Sequence, residues 1–90
     1  MVTNLISETS GNAVRNQFII NDNEGLHFQS YRTHIATIAS GVVSLNANMW
    51  DYSKTTSKYL YQFLRQNGWY EIKGKQDVLR LIKNGTFKTF

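Results

Sequence analysis

The 90-residue sequence contains no cysteine and no proline. Without thiols there is no disulfide framework, no cysteine-ligated zinc or iron-sulfur site and no thiol nucleophile, so the fold must rest on side-chain packing. Without proline, and with no low-complexity tract, nothing marks a linker. No apolar run approaches the roughly 20 residues that cross a bilayer, and the first residues show neither the basic region nor the apolar stretch of a signal peptide. These features predict a soluble, cytoplasmic protein with no membrane partner. Acids are also scarce: six Asp and Glu stand against ten Lys and Arg, a net charge of +4.

The chain is long enough for one core that hides roughly 60 to 65 per cent of the unfolded surface, and too short for two. The charge is unevenly placed. Up to Asp51 four acids exceed Arg15 and Arg32, whereas from Tyr52 onward eight bases face only Glu71 and Asp77. A basic second half points to nucleic acid or an acidic protein surface as partner.

Residues 1–16, rich in Ser, Thr, Asn and Gly with scattered apolar positions, read as a flexible lead segment, and 17–90 as a single α+β domain. Gln17 to Asn21 is β-prone, Asp22-Asn23-Glu24-Gly25 supplies turn chemistry, and Leu26 to Tyr31 alternates, which predicts a hairpin. Two further β-branched runs, His34 to Ala39 and Val42 to Leu45, flank Ser40-Gly41 and extend it to an antiparallel meander of three or four strands. The expected core face is Phe18, Ile20, Leu26, Phe28, Ile35, Val43 and Leu45. From Tyr52 the period becomes helical. Thr56, Tyr59, Leu60, Phe63 and Leu64 lie between an N-cap at Ser53 and a stop at Asn67-Gly68. A second helix is expected from about Lys75 to Asn84. The predicted architecture is thus a meander followed by two C-terminal helices packed on one of its faces.

Lys54, Lys58, Tyr61 and Arg65 fall on one face of the first helix, opposite its apolar side. Three cations and a ring can follow phosphates and stack a base, or fit an acidic protein groove. The plainer reading, a solvated helix face, is also the commoner one. Arg80 and Lys83 would widen the patch if the two helices packed antiparallel. Tyr31 and Arg32 are expected exposed at a sheet edge, as further binding residues. Trp50 and Tyr52, just before a capped helix, suit either an aromatic anchor or a hydrophobic staple; the staple is favoured for Trp50.

Catalytic patterns fail on their chemistry. Gly68 and Gly74-Lys75 have the wrong spacing for a phosphate loop, and Gln76 stands where a magnesium-binding hydroxyl is needed. His27 and His34 lack companion carboxylates, so no metal site is expected and surface or edge positions suit them better. Lys58 beside Thr55-Thr56-Ser57 faces water, not the desolvated setting of a catalytic lysine. The reading is a protein without enzymatic activity, metal or cofactor.

Phe28-Gln29-Ser30-Tyr31, Ile35-Ala36, and the string from Trp50-Asp51-Tyr52-Ser53 through Thr55-Thr56 and Lys58-Tyr59-Leu60 to Phe63-Leu64 resemble small uncharacterised proteins carried by phages and plasmids of Gram-positive bacteria. The resemblance covers residues 17–66 and brings no assigned activity. It implies a mobile-element accessory protein in a bacterial cell. The expected function is therefore to inhibit or redirect a host nucleic-acid-handling protein, as an anti-CRISPR or other anti-defence inhibitor does. Its partner would be a host protein with an acidic surface or a protein-nucleic acid complex. The alternative is a small regulator that binds DNA or RNA directly through the basic helix face.

Overall fold

The computed structural model describes residues 1–90. Its strands are β1 (Val2–Ile6), β2 (Ala13–Asp22), β3 (Gly25–Ser30), β4 (Thr33–Ala39), β5 (Val42–Leu45) and β6 (Phe87–Thr89), with helices α1 (Lys54–Gln66) and α2 (Lys75–Lys83) between β5 and β6. The strands form one six-stranded sheet in the order β1-β2-β3-β4-β5-β6. Neighbours pair antiparallel as far as β5, and β6 then joins β5 in parallel.

Short turns set the antiparallel part. Asp22 Oδ1 accepts the Glu24 N–H at 2.9 Å, and Gly25 follows at φ 132°, where a Cβ would lie 2.5 Å from the Ile38 carbonyl oxygen. That position admits only glycine without a shift of the neighbouring strand. At the next tight turn Ser40 and Gly41 both have positive φ, 51° and 77°, which matches the twist of the strands they join.

Two expectations about strands are corrected. The meander is larger than three or four strands and is not purely a meander, because β6 returns after both helices to pair in parallel. The lead segment expected to be flexible over 1–16 contains β1 and the start of β2, with Leu5 in the core. Both missed strands are short and owe their pairing to distant partners, so local pattern carries little of their signal.

The sheet has one covered and one open face. Ile19, Phe28, Ala36 and Leu45 are successive cross-strand partners and lie beneath the helices, as do Leu26, Ile38, Val43 and Phe87. Helix α1 adds Leu60, Phe63 and Leu64, and α2 adds Val78 and Leu81, to one apolar cluster. The Phe28 and Phe63 rings stack at 5.6 Å, a contact worth about 0.5–1.5 kcal/mol beyond its buried area. Phe18 and Ile20, expected in this core, lie on the open face: Ile20 is the partner of His27 and Phe18 of Gln29. Neighbouring Ile19 and Ile20 allow either phase of the alternation, and a slip of one residue exchanges the faces.

Polar groups fix the phase. Gln17, fully buried, donates from Nε2 to Ser30 Oγ at 3.0 Å, and Ser30 Oγ lies 2.8 Å from Thr56 Oγ1 on the first turn of α1. This chain ties β2, β3 and α1 together inside the core. Gln17 Oε1 has no partner there, so the network specifies position more than it adds stability.

Candidate functional site

Helix α1 begins where Ser53, in extended conformation, accepts the Thr56 N–H at 3.1 Å through its hydroxyl. It ends in a Schellman stop. The Trp69 N–H bonds the Leu64 carbonyl at 3.0 Å, the Gly68 N–H bonds that of Arg65 at 3.4 Å, and Gly68 takes φ 101°. Trp69 then packs edge-on against Phe87 at 4.9 Å. The reversal carries the chain back along the outside of α1, where Ile72 is buried and its carbonyl accepts from Arg65 Nη1 at 3.0 Å. Lys73 and Lys75 thereby come to lie beside the helix stripe.

A groove of about 640 Å³ results. Lys54, Lys58, Tyr61 and Arg65 line it from α1, Lys73 and Lys75 from the other side, and Asp51 and Tyr52 from the segment before the helix. Lys75 Nζ lies 3.0 Å from Asp51 Oδ2 and closes one part of it. Arg65 is also engaged, through Nη2 with Glu8 and through Nη1 with Ile72. Lys54, Lys58 and Lys73 have no carboxylate partner, although Lys58 Nζ stands 5.1 Å from the centre of the Tyr59 ring. Five cations against one lining carboxylate make the groove strongly positive. Burial pushes the Tyr61 phenol above its ordinary 10, with Asp51 adding to the shift and Ser57 and Lys75 opposing it. Tyr61 therefore keeps its proton at neutral pH and offers a donor.

The remaining residues named from sequence lie elsewhere. Arg80 and Lys83, on α2, are not brought into the groove; Arg80 pairs with Asp77 at 3.3 Å. Tyr31 and Arg32 form the β3–β4 turn and line a different hollow with Asn16, Phe18 and Thr33. Trp50 is a core residue, 5% exposed, while Tyr52 is 47% exposed at the groove. Sequence reasoning missed Lys73 and Lys75, which carry no periodic signal of their own. The Schellman stop at Asn67-Gly68-Trp69 was the available clue, because it turns the chain back toward the helix it has just left.

The histidines, expected at the surface or an edge, are joined on the open face. His27 is buried; its Nε2 lies 2.9 Å from Asp22 Oδ1 and its Nδ1 2.7 Å from Thr37 Oγ1. His34 Nε2 reaches the same hydroxyl at 2.7 Å, and its ring packs on Phe90 at 4.9 Å. An ionised Asp22 can only accept, so His27 donates to it from Nε2, and Thr37 Oγ1 lies between a ring nitrogen of each histidine. The His27 hydrogen bond, helped by the Glu24 N–H, holds the Asp22 carboxyl below its ordinary 3.8. Every ring nitrogen of His27 is thus engaged. Nowhere do three His, Cys, Asp or Glu side chains converge as metal ligands.

The profile of a family of unknown function (DUF8033) matches residues 1–79. The chain belongs to that family. The match spans β1 to β5, all of α1 and every residue of the groove, and ends within α2. No curated protein and no solved structure matches the chain. No helix is long and apolar enough to cross a membrane.

Proposed function

We propose that the chain is a small binding protein, without catalysis of its own, whose basic groove takes the phosphate backbone of a nucleic acid. One observation carries this reading: lysines from two separate segments converge on a single hollow, and three of them have no acid of the chain to neutralise them. A helix face that merely keeps contact with water needs no second row of cations facing it. Phosphates neutralise such lysines and release counterions, the term that dominates nucleic-acid affinity. Tyr52 and Tyr61 supply rings among the cations.

A second reading keeps the groove and changes the occupant to acidic side chains of a host protein. Its support is Tyr52, a large exposed ring at the groove, since tyrosines are frequent hot spots of protein interfaces. The likeness to phage and plasmid proteins supports a mobile-element origin and, with it, action against a host nucleic-acid-handling system such as a CRISPR effector, in a bacterial cytoplasm.

The test is a triple variant, Lys54→Glu, Lys58→Glu and Lys73→Glu. Arg65 is left intact because Glu8 and the Ile72 carbonyl need it. Filter binding to mixed-sequence oligonucleotides at low salt is expected to weaken by about tenfold or more, as phosphate contacts are lost. Unchanged binding would remove the groove from the interface. Capture of an acidic protein that persists after nuclease treatment, without oligonucleotide binding, would favour the second reading.

A further inference from the structure

We propose that the groove selects single-stranded nucleic acid over duplex. This rests on the nucleic-acid reading above and adds the form of the ligand.

The shape of the site decides against duplex. A helix that reads B-DNA must project into a major groove about 12 Å wide. The basic stripe of α1 does not project, because the segment holding Lys73 and Lys75 runs beside it and the cations line a hollow. At about 640 Å³, that hollow belongs to the size class of small-ligand sites, roughly 300–1,000 Å³. A convex double helix would meet only its rim. A single strand can bend in, because its backbone is flexible and its bases are not committed to a partner strand.

The chemistry of the lining agrees. Lys54, Lys58 and Lys73 provide free ammonium groups for successive phosphates, while Tyr52 and Tyr61 present rings beside them. In a duplex the faces of the bases are covered by their neighbours. In a single strand they are open to stack on tyrosine, a contact that tolerates any sequence. Asp51, held by Lys75, is the one lining carboxylate and its charge is already answered. Phosphate therefore meets a cationic surface with aromatic platforms, and discrimination comes from access to base faces.

Fluorescence anisotropy of the full chain would compare a labelled oligothymidylate of about eight nucleotides with a hairpin duplex carrying a similar number of phosphates. The single strand is expected to bind at least about tenfold more tightly, a difference of about 1.4 kcal/mol. Three phosphates give a log–log salt slope of about −2, hence roughly 16-fold weaker binding between about 50 and about 200 mM salt. Tyr52→Ala, at an exposed position, is expected to lower single-strand affinity about fivefold or more while leaving the duplex unchanged. Circular-dichroism melting would establish that the variant is folded, and Tyr61→Leu gives a second ring to remove. Equal affinity for the two forms, or a single-strand affinity indifferent to Tyr52→Ala, overturns strand selection while leaving a basic nucleic-acid site in place. Failure to bind either form at low salt overturns the nucleic-acid reading itself.

Discussion

Helices α1 and α2 share one plan, with an apolar side in the common core, cations on the other side, and an Asn-Gly pair at the end. They use their cations differently. In α2, Arg80 and Lys83 lie in the last turn, where the helix dipole favours positive charge, and Asp77 lies in the first. Both helices open on a lysine, Lys54 and Lys75, and α1 also carries Arg65 in its last turn, but in α1 no acid occupies the first turn to offset the lysine. Only α1 is faced by a second row of lysines. An amphipathic basic helix is thus no site by itself. What distinguishes α1 is a chain reversal that builds an opposite wall, and a first turn whose lysine has no acid beside it.

The difference begins in the core. Phe63 on α1 is fully buried against Phe28, whereas Leu81 on α2 keeps slight exposure. Phe63→Ala is expected to cost about 3–5 kcal/mol, and Leu81→Ala about 2 kcal/mol, the lower end for such truncations. Urea unfolding followed by tryptophan fluorescence reads both. Equal losses would break the contrast and make α2 as central to the fold as α1.

Charge sharpens the comparison. Replacing Lys54 with Glu puts an acid at the N-terminus of α1 and is expected to raise stability by about 0.3–1 kcal/mol, while weakening oligonucleotide binding. Arg80→Glu with Lys83→Glu should differ on both counts: stability falls by a similar amount as the dipole contact is lost, and binding stays within about twofold. Thermal melting and anisotropy on the same samples would show it. A Lys54→Glu protein that binds as well as the original would mean that this lysine is an ordinary surface residue.

The legible parts of this molecule are those whose cause is local. Ser53 caps α1, Asn67-Gly68 stops it, Ser40-Gly41 turns β4 into β5, and the spacing of Lys54, Lys58, Tyr61 and Arg65 fixes their common side. What escaped depends on distant partners. Strand β1 is a strand because Val2 and Thr3 find Ile20 and Ile19, and β6 because Phe87 finds Val43. Arg65 is partly spent on Glu8, 57 positions away in sequence, which no helical spacing could announce. The phase of β2 is set by Gln17, a polar residue holding a core position that an apolar alternation would refuse; it reaches Ser30, whose hydroxyl in turn meets Thr56. Lys73 and Lys75 belong to the site for the same kind of reason, since their place follows from the path of the chain.

The two helices should also part company in acid. The cap of α1 is the neutral hydroxyl of Ser53, which does not titrate near neutrality or below it. The start of α2 depends on the Asp77 carboxylate, whose Oδ2 accepts the N–H groups of Lys73 at 2.9 Å and Gly74 at 3.3 Å. The Lys73 hydrogen bond leads in holding its carboxyl below the ordinary 3.8, with Gly74 and Arg80 assisting. A carboxyl depressed on folding stabilises the folded chain above its unfolded value, and that contribution disappears as pH falls through the folded one. The start of α2, and with it the Lys73 side of the groove, is therefore expected to loosen below pH 3.8 while the start of α1 holds. In two-dimensional NMR spectra the Lys73 and Gly74 amides should shift together with that titration, and the Thr56 amide should not. Asp77→Asn should abolish the movement at Lys73 and Gly74, and a Thr56 amide that follows the same curve would show that the helices respond to acid as one unit.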